Sequence, residues 1–172
     1  MEHSAWLKSL LENLDQFGEE GRAAAAFIRS RRTRVSLKKT KPHIGAWWTV
    51  AGNINLNSYY YSYEKSLNNT RVFTLIIHEV RHLQQGFLTA LSVYGELEAW
   101  QLEWSIYHKV HGKYPHPAIA ELMSLPLSWE RSALQRAVQL MQSYASRNYR
   151  ADLLPYYPIG KELSYRLFRK LP

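Results

Sequence analysis

Two histidines four residues apart, with a glutamate directly after the first, stand at His78-Glu79-Val80-Arg81-His82. On a helix, residues four apart lie one turn above each other on one face, so both imidazoles can reach one cation. Glu79 is then beside that cation, where it can take a proton from a water the cation has acidified. Such a pattern does hydrolysis, and a zinc-dependent endopeptidase-like hydrolase is the expectation. The chain contains no cysteine. Disulfides and thiolate ligands are therefore excluded, and zinc must be held by histidine and carboxylate.

A catalytic zinc ion takes three protein ligands and keeps one position open. The metzincin continuation would place glycine at 85 and histidine at 88, where this chain has Gln85 and Leu88. A carboxylate from a second helix is the other source, and Tyr94-Gly95-Glu96-Leu97-Glu98-Ala99-Trp100 offers two. In a helix over residues 92–111, Val93, Leu97, Trp100, Trp104 and Tyr107 form the apolar stripe. At 3.6 residues per turn, Glu96 lies about 60° from the centre of that stripe and Glu98 about 140° away. Glu96 is thus favoured as the ligand, and Glu98, the alternative, should face solvent. Gly95 suits a place where another backbone or the metal site approaches closely. Glu103 shares the flank of Glu96; a surface salt bridge is the reading ahead of a supporting role beside the ligands.

The motif itself falls on a helix over residues 70–85. Val72, Leu75, Ile76, Glu79 and Leu83 share one face, Phe73, Ile77 and Val80 form a second apolar flank, and Thr74, Arg81 and Gln85 remain as a polar strip. A helix apolar nearly all round should be largely buried. A buried, charged Glu79 then needs a strong electrostatic partner, which a dication supplies. Upstream, residues 4–17 read as an amphipathic helix with Ser4 as its N-cap, and residues 21–31 as a shorter one. Thr33–Leu37, Ile44–Val50 and Gly52–Tyr61 read as strands, with Ala51-Gly52 as a turn. Ile54 and Leu56 should point one way and Asn53, Asn55 and Asn57 the other. Helices follow at 117–124 and 128–147, then an extended Leu153–Pro158 and a short basic helix. The order of elements predicts an α+β fold in a single domain over residues 1–172, with a helical C-terminal half.

HEVRH, followed after a short spacer by Glu96 in a Glu-x-x-Ala setting, resembles the gluzincin branch of the zincin metallopeptidases, in particular its small single-domain members. The resemblance spans roughly residues 33–110. It implies a zincin-like fold, with a small, mostly antiparallel sheet packed on the active-site helix. It also implies His78, His82 and Glu96 as ligands of Zn2+, Glu79 as general base, and a peptide or protein substrate paired to an exposed edge strand at residues 52–57. Many gluzincins carry aspartate directly after the Glu-x-x-Ala unit, where it accepts a hydrogen bond from a zinc-bound histidine. Trp100 stands there in this chain, and an indole only donates. The acceptor must come from elsewhere, such as a backbone carbonyl, Asn55 or Glu103.

His108, His111 and His116 follow; a role in stabilising the oxyanion is weighed for them, and His111 before Gly112 is more simply a helix C-terminal residue. Tyr59, Tyr60, Tyr61 and Tyr63 are read as sheet packing and surface contact. Apolar residues make up 46% of the chain, so disorder is not expected. No apolar run is long enough for a membrane helix, and the N-terminal residues do not form a Sec-type signal, so a cytoplasmic location is expected. The net charge is +8. Nucleic acid is a conceivable partner on charge alone, but no nucleic-acid motif accompanies it. The rival reading is a non-catalytic or latent metal-binding module whose basic surface meets nucleic acid or protein. In its latent form, Leu153–Pro158 would lie in the cleft.

Overall fold

The computed structural model describes residues 2–168. It is an α+β protein, mostly helical, with one small three-stranded sheet among the described residues. The chain divides into two compact units, Met1–Val80 and Arg81–Pro172, and the divide falls inside a helix.

The first unit begins with α1 (His3–Gln16) and α2 (Glu19–Arg31). The apolar period of α1 buries Trp6, Leu10, Leu11 and Leu14. Ser4 is not its cap; the helix starts after Glu2 with no side-chain cap. The two helices can meet because α2 presents small residues: a Cβ on Gly21 would lie 2.3 Å from the Leu14 carbonyl oxygen. A short α3 (Tyr63–Leu67), which the apolar pattern does not announce, is capped by Ser62 and tied to α1 by the Trp6 indole, which donates to Ser66 Oγ at 2.8 Å.

Three strands form the sheet: β1 (Val35–Lys38), β2 (Ala46–Trp48) and β3 (Ile54–Asn57), in the order β1-β3-β2. β1 runs parallel to β3, with Val35 opposite Ile54; β2 runs antiparallel, with Trp48 opposite Ile54. The sheet is therefore mixed rather than mostly antiparallel. Thr49 N donates to Asn53 O at 2.9 Å across the β2–β3 turn, where Gly52 takes the φ of 75° that favours glycine.

One expectation for residues 52–57 fails. β3 is the central strand, so both its edges are already occupied and it cannot take a peptide as an added strand. Its asparagines are buried along with Ile54 and Leu56, since all four of its residues are buried. Asn57 meets the cost of burial by organising the neighbouring loop. Its Oδ1 accepts from Thr40 N at 3.1 Å and Tyr59 N at 3.0 Å, and its Nδ2 donates to Lys41 O at 3.0 Å and Ile44 O at 2.7 Å.

The long helix α4 (Thr70–Gln85) runs across the divide. Asn69 caps it, with Oδ1 accepting from Arg71 N at 2.9 Å and Val72 N at 3.3 Å. Every residue from Val72 to Val80 is buried, as an all-round apolar helix requires. Thr74, assigned to the polar strip, is buried too and turns its hydroxyl back to Arg71 O at 3.1 Å. The Leu75 side chain fills the space beside Gly45, where a Cβ would come within 3.1 Å of it.

In the second unit, α4 is followed by α5 (Phe87–Ala90), α6 (Val93–His111), α7 (Pro117–Ser124), α8 (Arg131–Ala145), a 3-10 turn (Ala151–Leu153) and α9 (Ile159–Phe168). Its core joins Val93, Leu97, Trp100 and Trp104 of α6 to Ile119 and Leu122 of α7 and to Leu134, Ala137 and Met141 of α8. Among the described residues, no helix is long and apolar enough to cross a membrane.

Candidate metal centre

α4 carries His78, Glu79 and His82, which are 7%, 4% and 2% exposed. One turn of continuous helix separates the two imidazoles. The third donor comes from the first turn of α6, and that turn is held unusually firmly. Ser92 caps it, accepting from Gly95 N at 3.0 Å while its own hydroxyl donates to Thr89 O at 2.7 Å. The Val93 and Tyr94 amides, which have no partner within the helix, donate to Pro155 O at 2.8 Å and Tyr156 O at 3.1 Å. Gly95 lies so close to α5 that a Cβ would stand 2.1 Å from the Thr89 carbonyl oxygen, as a close backbone approach there predicts. Glu96 projects from this fixed turn.

One ligand atom each from His78, His82 and Glu96 lie within 4.8 Å of one another. His82 Nε2 and Glu96 Oε1 are 3.5 Å apart. In a tetrahedral zinc site with bonds of about 2.0–2.1 Å, neighbouring donors are about 3.3 Å apart, so this pair already matches one edge of the polyhedron. Two imidazoles and a carboxylate are also the donor chemistry zinc takes where cysteine is absent. The residues fit the metal.

Glu98, the alternative ligand, is otherwise engaged. It is partly buried rather than facing solvent, pairs with Arg81, and accepts from Gln85 Nε2 at 2.6 Å. The same Gln85 amide donates to Gly95 O at 2.9 Å. Its Oε1 lies 3.1 Å from His82 Nδ1. Gln85 thereby offers His82 the acceptor that Trp100 cannot. An amide that already donates through Nε2 presents Oε1 as an acceptor, so the His82 proton belongs on Nδ1 and the Nε2 lone pair faces Glu96. Glu103 is no surface residue; it is 2% exposed. Burial first, and then the nearby Glu98 carboxylate, push the Tyr94 hydroxyl above its ordinary range.

Tyr149 had not been singled out by any motif. Its hydroxyl donates to Glu96 Oε2 and accepts from Trp100 Nε1 at 3.0 Å. Trp100 thus acts on the ligand carboxylate through Tyr149 rather than on a histidine. Tyr149→Phe should weaken zinc binding by about 10–100-fold in a competition titration, the usual effect of losing a group that orients a ligand. An unchanged affinity would show that Glu96 is held without it.

The remaining candidates have local roles. The His108 ring lies on Tyr114 with centroids 4.5 Å apart, and the His111 ring on Tyr107 at 4.2 Å, both at the C-terminal end of α6. His116 caps α7, its Nδ1 accepting from Ala118 N at 3.1 Å. Tyr59 and Tyr60 are exposed and in edge-to-face contact with each other. The Leu153–Pro158 segment is built into the second unit: it supplies the two carbonyls that cap α6, and Tyr157 is fully buried. No family model matches the chain, and no curated protein or solved structure matches it.

Proposed function

We propose that this chain is a zinc-dependent peptide-bond hydrolase of the gluzincin type, with a zincin-like fold. His78, His82 and Glu96 are the metal ligands and Glu79 the general base. The observation that carries this reading is the convergence of two imidazoles and one carboxylate within 4.8 Å, with Glu79, the residue after His78 on the same helix, buried as well. When bound, zinc supplies Lewis acidity to the scissile carbonyl and makes water a nucleophile near neutral pH. Glu79 takes the proton of the attacking water and delivers it to the leaving amine. Gln85 holds His82 in the tautomer that ligates through Nε2, and Tyr149 occupies Glu96 Oε2 so that Oε1 is the oxygen facing His82.

Metal removal tests the reading. The purified chain should hold a single zinc ion and cleave an unstructured protein such as casein. Dialysis against 1,10-phenanthroline should abolish cleavage, and added zinc should restore it. Cleavage that survives chelation, or a His82→Ala variant that binds zinc as tightly as the parent, would overturn the proposal.

A further inference from the structure

The second unit has a half-open cavity of about 270 Å³, and none of its lining residues is a ligand of the metal centre proposed above. Four charged side chains line it: Arg131 at the start of α8, Glu162 and Arg166 on α9, and Asp152, which is paired with Arg150. Arg131 and Glu162 do not answer each other. Glu162 is 6% exposed and accepts from Arg166 Nε at 2.9 Å through Oε1, while its Oε2 is buried with no hydrogen-bond partner among the described residues. The Arg131 guanidinium sits over two rings, 4.3 Å from the centroid of Tyr156 and 4.9 Å from that of Tyr165. Its Nη1 is likewise buried without a hydrogen-bond partner among the described residues.

A buried charge with an open hydrogen-bonding position is costly; Glu162 is one, and the half-buried Arg131 offers an open donor of opposite sign on the same cavity. The aromatic faces hold the guanidinium in place before any ligand arrives, so little ordering remains to be done on binding. Water could fill each position separately. A molecule carrying one anionic and one cationic group fills both at once. The size of the cavity narrows the class. It lies just under the roughly 300 Å³ at which sites for drug-sized ligands begin, and equals roughly nine waters at about 30 Å³ each. Leu153, Leu154 and Pro155 add an apolar wall.

We propose that this cavity binds a small zwitterion of the size of a free amino acid, with its carboxylate on Arg131 Nη1 and its ammonium on Glu162 Oε2. Calorimetric titration of the zinc-loaded chain with glycine and L-leucine, and with sodium acetate and methylammonium chloride as single-charge controls, tests it. At least one amino acid should bind, with each control at least tenfold weaker. Glu162→Gln, which is nearly isosteric, and Arg131→Lys, which keeps the charge but loses the fork, should each weaken amino-acid binding at least tenfold while zinc content and far-ultraviolet circular dichroism stay as in the parent. Three results would overturn the proposal: neither amino acid binding at millimolar concentration, acetate binding as tightly as the amino acids, or binding unaltered in Glu162→Gln.

Discussion

Glutamine in place of Glu79 should leave zinc bound at parental affinity and lower kcat by about 10²–10⁴-fold, the contribution expected of a positioned general base. The exchange conserves shape and volume at a site that is 4% exposed, so packing around α4 is preserved. What changes is proton affinity: an amide cannot accept the proton of the attacking water. KM should move little, because the side chain is not asked to bind the peptide. Zinc stoichiometry measured beside initial rates separates this outcome from simple loss of metal. A variant that holds zinc and cleaves at the parental rate would assign the base to another residue and remove Glu79 from the mechanism.

Gly95→Ala should be the most damaging single methyl in the second unit. The added Cβ would stand 2.1 Å from the Thr89 carbonyl oxygen and 2.9 Å from its carbon. Both are backbone atoms, so no rotamer relieves the overlap; α5 or the first turn of α6 must move. Overpacking of this kind costs about 1–3 kcal/mol, and more where the obstacle is main chain. In a chain of this size, each kcal/mol corresponds to a Tm change of about 2–4 °C. A drop of roughly 5–10 °C is expected in thermal unfolding. The same shift displaces Glu96, the next residue, so zinc affinity should fall with stability. An unaltered Tm would mean that the α5–α6 junction yields easily.

The parts legible in the sequence are those governed by local period. α4 and α6 follow from their apolar repeats, and the helical period separates Glu96 from Glu98, although Glu98 is partly buried too, held by Arg81 and Gln85. Gly95 was legible for a related reason, since glycine inside an otherwise strong helix implies a close neighbour. What escaped was set by partners distant in the chain. Tyr149 reaches Glu96 across 53 positions, and nothing in its local sequence marks that contact. Gln85 looked like part of a solvated strip because its value lies in three partners on two helices. The resemblance cast residues 52–57 as an exposed edge, and the alternation of asparagines with Ile54 and Leu56 did not speak against it. Asn57 is buried instead, fully bonded to the loop around it, and strand order is a tertiary property that alternation does not encode.

The carbonyls of Pro155 and Tyr156 that complete the start of α6 have a consequence for biosynthesis. While the polypeptide is still emerging from the ribosome, the histidine pair is exported well before the segment that steadies the acidic donor. Contacts between such distant stretches form late, after loop closure has been met. Under the proposed reading, a nascent chain therefore carries His78 and His82 before Glu96 is steadied, and full affinity for the ion waits until Pro155 and Tyr156 have emerged.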